Sequence, residues 1–251
     1  MEVTLSKAHN NLFWSIESYD KNIISPNIKK LYEGILPYIS DFLCSPHPDR
    51  KGNVCPFVPA AIKKDTIYFS YFSEDDSKVD FLRDSKDFIK KSINFYTKKK
   101  EHSKCFGALI ILFPHDYDIL KLLEIHLINK QQCVENQLMI GALWDENQAQ
   151  SLHNPNFFPL RTPTPILVIR DITIQDLIFL DPKYYNIRMR IQFLDAFIKK
   201  FSKENCPTVS NVFVKQALEL KSYYRKKENI KKAIWISGTC FILLALGNIL
   251  C

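Results

Sequence analysis

Residues 233–251 (AIWISGTCFILLALGNILC) carry no charged side chain, and just before them stand Lys221, Arg225, Lys226, Lys227, Lys231 and Lys232. As a helix such a run is about 28 Å long, close to the ~30 Å hydrocarbon core of a bilayer. Charged groups are costly in lipid, so their abrupt loss predicts a C-terminal single transmembrane helix, and the basic flank predicts a cytoplasmic N-terminal side. Arg225, Lys226, Lys227, Lys231 and Lys232 would face the headgroups, with the Trp235 indole at the interface. On this reading the chain is tail-anchored and single-pass, with the bilayer as its first partner. The competing reading makes the same run the last buried helix of a globular fold, which Ser237, Thr239, Asn248, Gly238 and Gly247 favour. Against that, the apolar residues surround the helix instead of forming one stripe.

The remaining chain is long enough for one large domain or two small ones. Boundaries are expected at residues 1–27 for an N-terminal extension, 28–207 for a folded domain, 208–232 for a basic helical linker and 233–251 for the anchor. Net charge is +7, and without the basic flank and Glu228 the body is left near about +2. A nucleic-acid partner is therefore not expected, although Lys98, Lys99 and Lys100 form a short separate run. Seven widely spaced cysteines contain no C-x-x-C pair, which fits neither a disulfide framework nor a zinc ribbon.

Periodicity predicts a helix opened by Pro26 and interrupted at Gly34 and Pro37. Further helices are expected over residues 78–96, 117–133, 188–201 and 215–230. Strands are expected over 66–73 (TIYFSYFS), 105–113 (CFGALIILF), 138–144 (LMIGALW) and 166–169 (ILVI). The order implies an α+β fold: a mixed four-stranded sheet with helices mostly on one face, plus the C-terminal transmembrane helix. No Gly-rich phosphate cradle of the Rossmann or P-loop type occurs.

Two proline-rich loops interrupt this pattern. Loop one, residues 45–59 (SPHPDRKGNVCPFVP), offers His47, Asp49, Arg50 and Cys55; loop two, residues 151–165, offers His153, Asn154 and Arg161, with Arg170 and Asp171 just past the next strand. Proline lowers the entropy lost in fixing such side chains, so the loops are candidates for a small-molecule site. Prolines that merely shape surface crossings are the alternative. His47, Cys55 and His153 are the candidate catalytic residues: a thiol activated by an imidazole is one chemistry, and a metal held by all three is another. Asp49, Arg50, Asn154, Arg161 and Arg170 are the candidate ligand-binding residues. Haem is a third option, with Cys55 or a histidine as axial ligand and Arg161 or Arg170 on a propionate. The competing class is a non-enzymatic adaptor that binds a protein at the membrane surface, with the Pro-rich loops forming an exposed apolar patch and His47, Cys55 and Arg161 pointing to different surfaces.

Three motifs resemble an uncharacterised bacterial domain family: HPDRKGNVCPFVPAAI at residues 47–62, LMIGALW at 138–144, and LHNPNFFPLRTPTPILVIRDI at 152–172. The resemblance spans roughly residues 31–201 and implies a domain boundary, not an activity. A fainter likeness joins the Cys-Pro loop and the Arg-x-Pro-x-Pro segment to haem-dependent N-hydroxylase-like proteins, although the Cys-Pro-Phe order here is reversed. The apolar tail is not expected to be a feature of the family.

Overall fold

The computed structural model describes residues 13–19, 25–72, 81–101, 103, 105–202 and 208–247. It divides into two compact units, Met1–Cys133 with Leu138–Asp171, and Val134–Gln137 with Ile172–Cys251.

The first unit is built on a five-stranded sheet in the order β1-β2-β3-β5-β4: β1 (Trp14–Ser15), β2 (Ile67–Tyr71), β3 (Ala108–Leu112), β4 (Leu138–Leu143) and β5 (Ile166–Asp171). β2 and β3 are parallel, joined through α3 (Phe81–Glu101), because a parallel pair requires a long crossover. α4 (Ile119–Glu135) then carries the chain past one position to β4, and β5 fills the gap antiparallel to both neighbours. The expected four strands are thus corrected to five. β1 escapes periodicity because two residues show no alternation; it holds its place by pairing Trp14 with Phe69.

Alternation along β3 explains the layers. Leu109 and Ile111 face Ile89, Ile93 and Tyr96 of α3 and Leu122 and Ile125 of α4. Ile110 and Leu112 face the opposite core, built on Tyr32 and Ile35 of α1 (Pro26–Pro37), Ile39, and Ala61 of α2 (Val58–Lys63). Helices therefore cover both faces, which corrects the expectation of one. The physical reason is that β3 and β5 are apolar at nearly every position, and a strand buried on both sides needs cover on both. Each fully buried Phe or Ile contributes roughly 1.5–3 kcal/mol.

Gly107 precedes β3 where the chain passes the end of β2. A Cβ there would lie 2.4 Å from the Thr66 carbonyl oxygen, which already accepts the Ala108 N–H at 3.1 Å. Backbone cannot yield as a flexible side chain can. Gly107→Ala is expected to lower stability by about 2 kcal/mol or more, read from the urea unfolding midpoint at unchanged m-value.

The second unit contains a 3-10 turn (Ile174–Phe179), α5 (Ile187–Phe201) and α6 (Thr208–Gly247). Thr173 and Asp176 close the turn with a reciprocal capping box, and Asn186 caps α5 by accepting the Met189 N–H at 2.9 Å. α6 lies along α5, with Ala217 and Tyr224 buried. Lys221 pairs with Asp195, and Tyr224 Oη donates to Asp181 Oδ2 at 2.7 Å.

The membrane expectation is corrected here. Among the described residues, no helix is long and apolar enough to cross a membrane. The loss of charge after Lys232 marks no break in the backbone, because one helix runs through it from Thr208 to Gly247. The described part of α6 carries Lys215, Lys221, Arg225, Lys226, Lys227 and Lys231 and buries one side on α5, as a surface helix of a globular unit does. This finding contradicts the expected single-pass, tail-anchored topology and the membrane localisation that followed from it. Arg225, Lys226, Lys227 and Lys231 are exposed; the side chains of Lys232 and Trp235, and residues 248–251, lie outside the described residues.

Candidate functional site

Pro37 creates the site's first wall. Proline has no N–H to continue the α-helical ladder, and the chain rewinds as a π-helical turn, Tyr38–Phe42. That turn aims Tyr38 Oη at the Pro159 carbonyl, to which it donates at 2.7 Å, tying the turn that leads into loop one to loop two. Phe42 lies against Phe157, whose ring in turn meets His47 edge-on at 5.0 Å.

His47 is the centre of the contact between loops. Its Nδ1 accepts the Asp49 amide N–H at 3.0 Å, so the proton of the neutral ring sits on Nε2, which donates to Ser151 Oγ at 3.3 Å. Ser151 Oγ also accepts the His153 N–H at 3.2 Å. Asn154 Nδ2 donates to Asp49 Oδ2 at 2.7 Å and closes a second bond between the loops. The His47 and His153 rings stand perpendicular at 5.8 Å. Burial pushes the His47 imidazole below its ordinary pKa, and the Arg50 guanidinium and His153 add to this against the opposing pull of Asp49. The ring is thus kept neutral and fixed in one tautomer. As a donor toward Ser151 it is oriented the wrong way to take that hydroxyl's proton, so the pair is not poised for nucleophilic catalysis.

The other predicted residues do not join it. Arg50 Nη2 donates to the carbonyls of Asn53 at 2.7 Å and Val54 at 2.9 Å, bracing the turn around Gly52, whose φ of 92° lies in the region that favours glycine. Cys55 sits beside Tyr38 and Cys44, raising the pKa of both in addition to their burial, and no described contact links it to His47 or His153. Arg161 stacks on Phe158 at 4.1 Å and donates from Nε to the Asn147 carbonyl at 3.1 Å. Arg170 belongs to the opposite end of β5, where it donates to the Asp171 carbonyl.

Neither metal nor haem fits these positions. A zinc ion needs three or four ligands around one point, and no group of three His, Cys, Asp or Glu among the described residues offers that. Haem needs an axial ligand over an apolar slot with cations near the propionates. Cys55, His47 and His153 form no common ligand group among the described residues, Arg161 is held on Phe158, and Arg170 lies at the far end of β5.

With this geometry in view, comparison with known families is decisive for kinship alone. The sequence model of a family described as "Domain of unknown function (DUF6875)" matches residues 32–231. The chain belongs to this family. No curated protein and no solved structure matches it. The DUF6875 region takes in both loops and strands β2–β5, and it ends before the apolar run at the C-terminus.

At the other end of the sheet the DUF6875 domain holds a cluster that periodicity does not reveal. Asp171, 1% exposed at the end of β5, accepts from Tyr96 Oη at 3.0 Å and pairs with Lys100. Burial first, and then the Asp171 charge, raise the pKa of Tyr96, so the phenol stays protonated as donor. Beside it lies a cleft of about 10 Å³ lined by Tyr96, Lys100, Cys105 and Gly107, among others, roughly room for one water. The spacing Tyr96 to Lys100 places both on one helical face, which was the available signal; the carboxylate they meet lies too far along the chain to be inferred.

Proposed function

We propose that the domain is a non-enzymatic interaction module whose protein partner seats on the face formed by loops one and two. One observation carries this reading. Four of the candidate polar side chains are engaged within the loops or with adjoining backbone: His47 with Ser151, Asp49 with Asn154, Arg50 with carbonyls of loop one, and Arg161 with the Asn147 carbonyl. Large apolar side chains of loop two meanwhile face water, with Leu152 74% and Leu160 38% exposed. A reaction centre needs groups free to exchange protons, whereas a docking face needs a rigid frame that presents apolar anchors. Prolines and cross-loop bonds supply that frame and reduce the entropy lost on binding.

The test is a photo-crosslinking residue in place of Leu152, followed by affinity measurement with the purified cross-linked protein. A discrete partner should appear, and L152D/L160D should weaken its binding about 30-fold or more, as loss of two anchor side chains implies. The unfolding midpoint of L152D/L160D should stay near that of wild type, because both leucines are exposed. Absence of any discrete cross-linked species, or a variant that binds like wild type, overturns the reading.

A further inference from the structure

Loop one folds as a hairpin with a cysteine at each end. Pro46 pairs with Asn53 in an antiparallel bridge, flanked by the His47 N–H to the Gly52 carbonyl and the Val54 N–H to the Ser45 carbonyl, both at 2.9 Å. Arg50 braces the returning segment from inside the loop through the Asn53 and Val54 carbonyls. Carried two residues outward, the same pairing sets Cys44 opposite Cys55. There the Cys55 N–H donates to the Leu43 carbonyl at 2.9 Å. That bond and the short covalent spans on either side of it keep the two Cα atoms within about 7 Å of each other. Disulfides join Cα atoms about 4.4–6.8 Å apart, a span that this hairpin base meets with little movement.

Both side chains also meet the same element, the π-helical turn Tyr38–Phe42. Cys44 Sγ lies 3.5 Å from the Ile39 carbonyl oxygen, and Cys55 lies beside Tyr38. Burial holds the Cys44 thiol above its ordinary pKa, and a charge on Cys55 would raise it further, as expected of neighbours. Both are free thiols and half-buried, so a small oxidant can reach them. The sequence offers no hint of this pair, because the whole turning segment of loop one stands between the two cysteines.

We infer that Cys44 and Cys55 form a reversible disulfide that closes the base of loop one. The chemistry is thiol–disulfide exchange with a small disulfide oxidant such as glutathione disulfide. The thiolate of one cysteine attacks the oxidant, a mixed disulfide forms, and one glutathione thiolate leaves. The other cysteine gives up its proton and attacks the protein sulfur of the mixed disulfide, releasing the second glutathione thiolate. The cysteine pair loses two electrons and two protons, and the oxidant gains them. The hairpin closed in this way is the one that carries His47 to Ser151 and Asp49 to Asn154, so oxidation disfavours its opening. The pairing depends on the hairpin alone and not on a protein partner for the loop face.

The test applies glutathione disulfide to the full folded chain, blocks the remaining thiols and maps peptides by mass spectrometry without reduction. A peptide linking Cys44 to Cys55 should form, and excess reduced glutathione should remove it. C44S and C55S should each lack it. Native-state hydrogen exchange supplies a second readout. The Val54 and Cys55 amides, which donate to the Ser45 and Leu43 carbonyls, should exchange about tenfold or more slowly in oxidised than in reduced wild type, because the link removes entropy from the opened loop. The same treatment of C44S should leave their exchange unchanged. Absence of the Cys44–Cys55 peptide overturns the inference, as does a link that forms as readily when the chain is unfolded in urea. Amide exchange that fails to slow on oxidation overturns it equally.

Discussion

Lys100→Met is expected to lower the unfolding free energy by about 2–3 kcal/mol, although Lys100 itself is partly exposed. The reason lies in its partner. Asp171 is 1% exposed and accepts from Tyr96 Oη, and removal of the ammonium group takes the countercharge of Lys100 away from a buried carboxylate. Breaking a buried ion pair from one side costs about 3–5 kcal/mol in general, and the lower part of that range applies where one partner reaches solvent. Asp171→Asn should cost less, about 1 kcal/mol, because an amide oxygen still accepts from Tyr96 and Lys100 can turn to water. The asymmetry between the two variants is the informative result. For a chain of this length, K100M should melt about 5–10 °C below wild type in a thermal scan. Equal losses in K100M and D171N would mean that the carboxylate is not held as a buried charge.

Acid should destabilise the fold well before its carboxylates titrate. His126 on α4 is held neutral: burial first, and then the nearby Lys130 charge, lower its pKa from 6.5 to about 4, against a hydrogen bond from Nε2 to the Ile140 carbonyl at 3.1 Å. The unfolded chain therefore binds a proton at this histidine below about pH 6.5 that the folded chain refuses until about pH 4. Stability from this group is fully present above pH 6.5 and is lost as the pH falls from 6.5 to about 4. A shift of that size corresponds to about 3 kcal/mol. Urea midpoints measured across this window should fall for wild type and fall much less for H126Q, whose side-chain amide still donates toward Ile140. Parallel curves would show that other groups control the acid limb.

Several features were legible in the sequence for physical reasons that act over short range. Alternation in TIYFSYFS and unbroken apolar character in CFGALIILF and ILVI place β2, β3 and β5, because strand burial repeats every second residue or occupies every one. Helical spacing finds α3, α4 and α5 in the same way. The three motifs that resemble a family of unknown function also stand, and the matching family covers residues 32–231. The tail shows the limit of this kind of reading. Hydropathy reports that residues 233–251 lack charge, yet the same absence suits lipid or protein, and in the structure no described helix is long and apolar enough to cross a membrane.

The candidate site divides along the same line. Sequence singled out the two proline-rich loops, because proline and turn residues act on their own backbone. It did not reveal that His47 would meet Ser151 or that Asp49 would meet Asn154, more than a hundred residues away in each case. Nor did it place Cys55 beside Tyr38 and Cys44.

What the amino-acid sequence determined by itself was the set of elements and the stiffness of the loops, since both depend on torsion preferences and on patterns a few residues long. Only the tertiary structure decided that β5 enters between β3 and β4, that helices cover both sheet faces, and that the loop imidazole is locked as a donor. Those outcomes depend on which distant surfaces exclude water together, and that free energy belongs to pairs of segments, not to either segment alone.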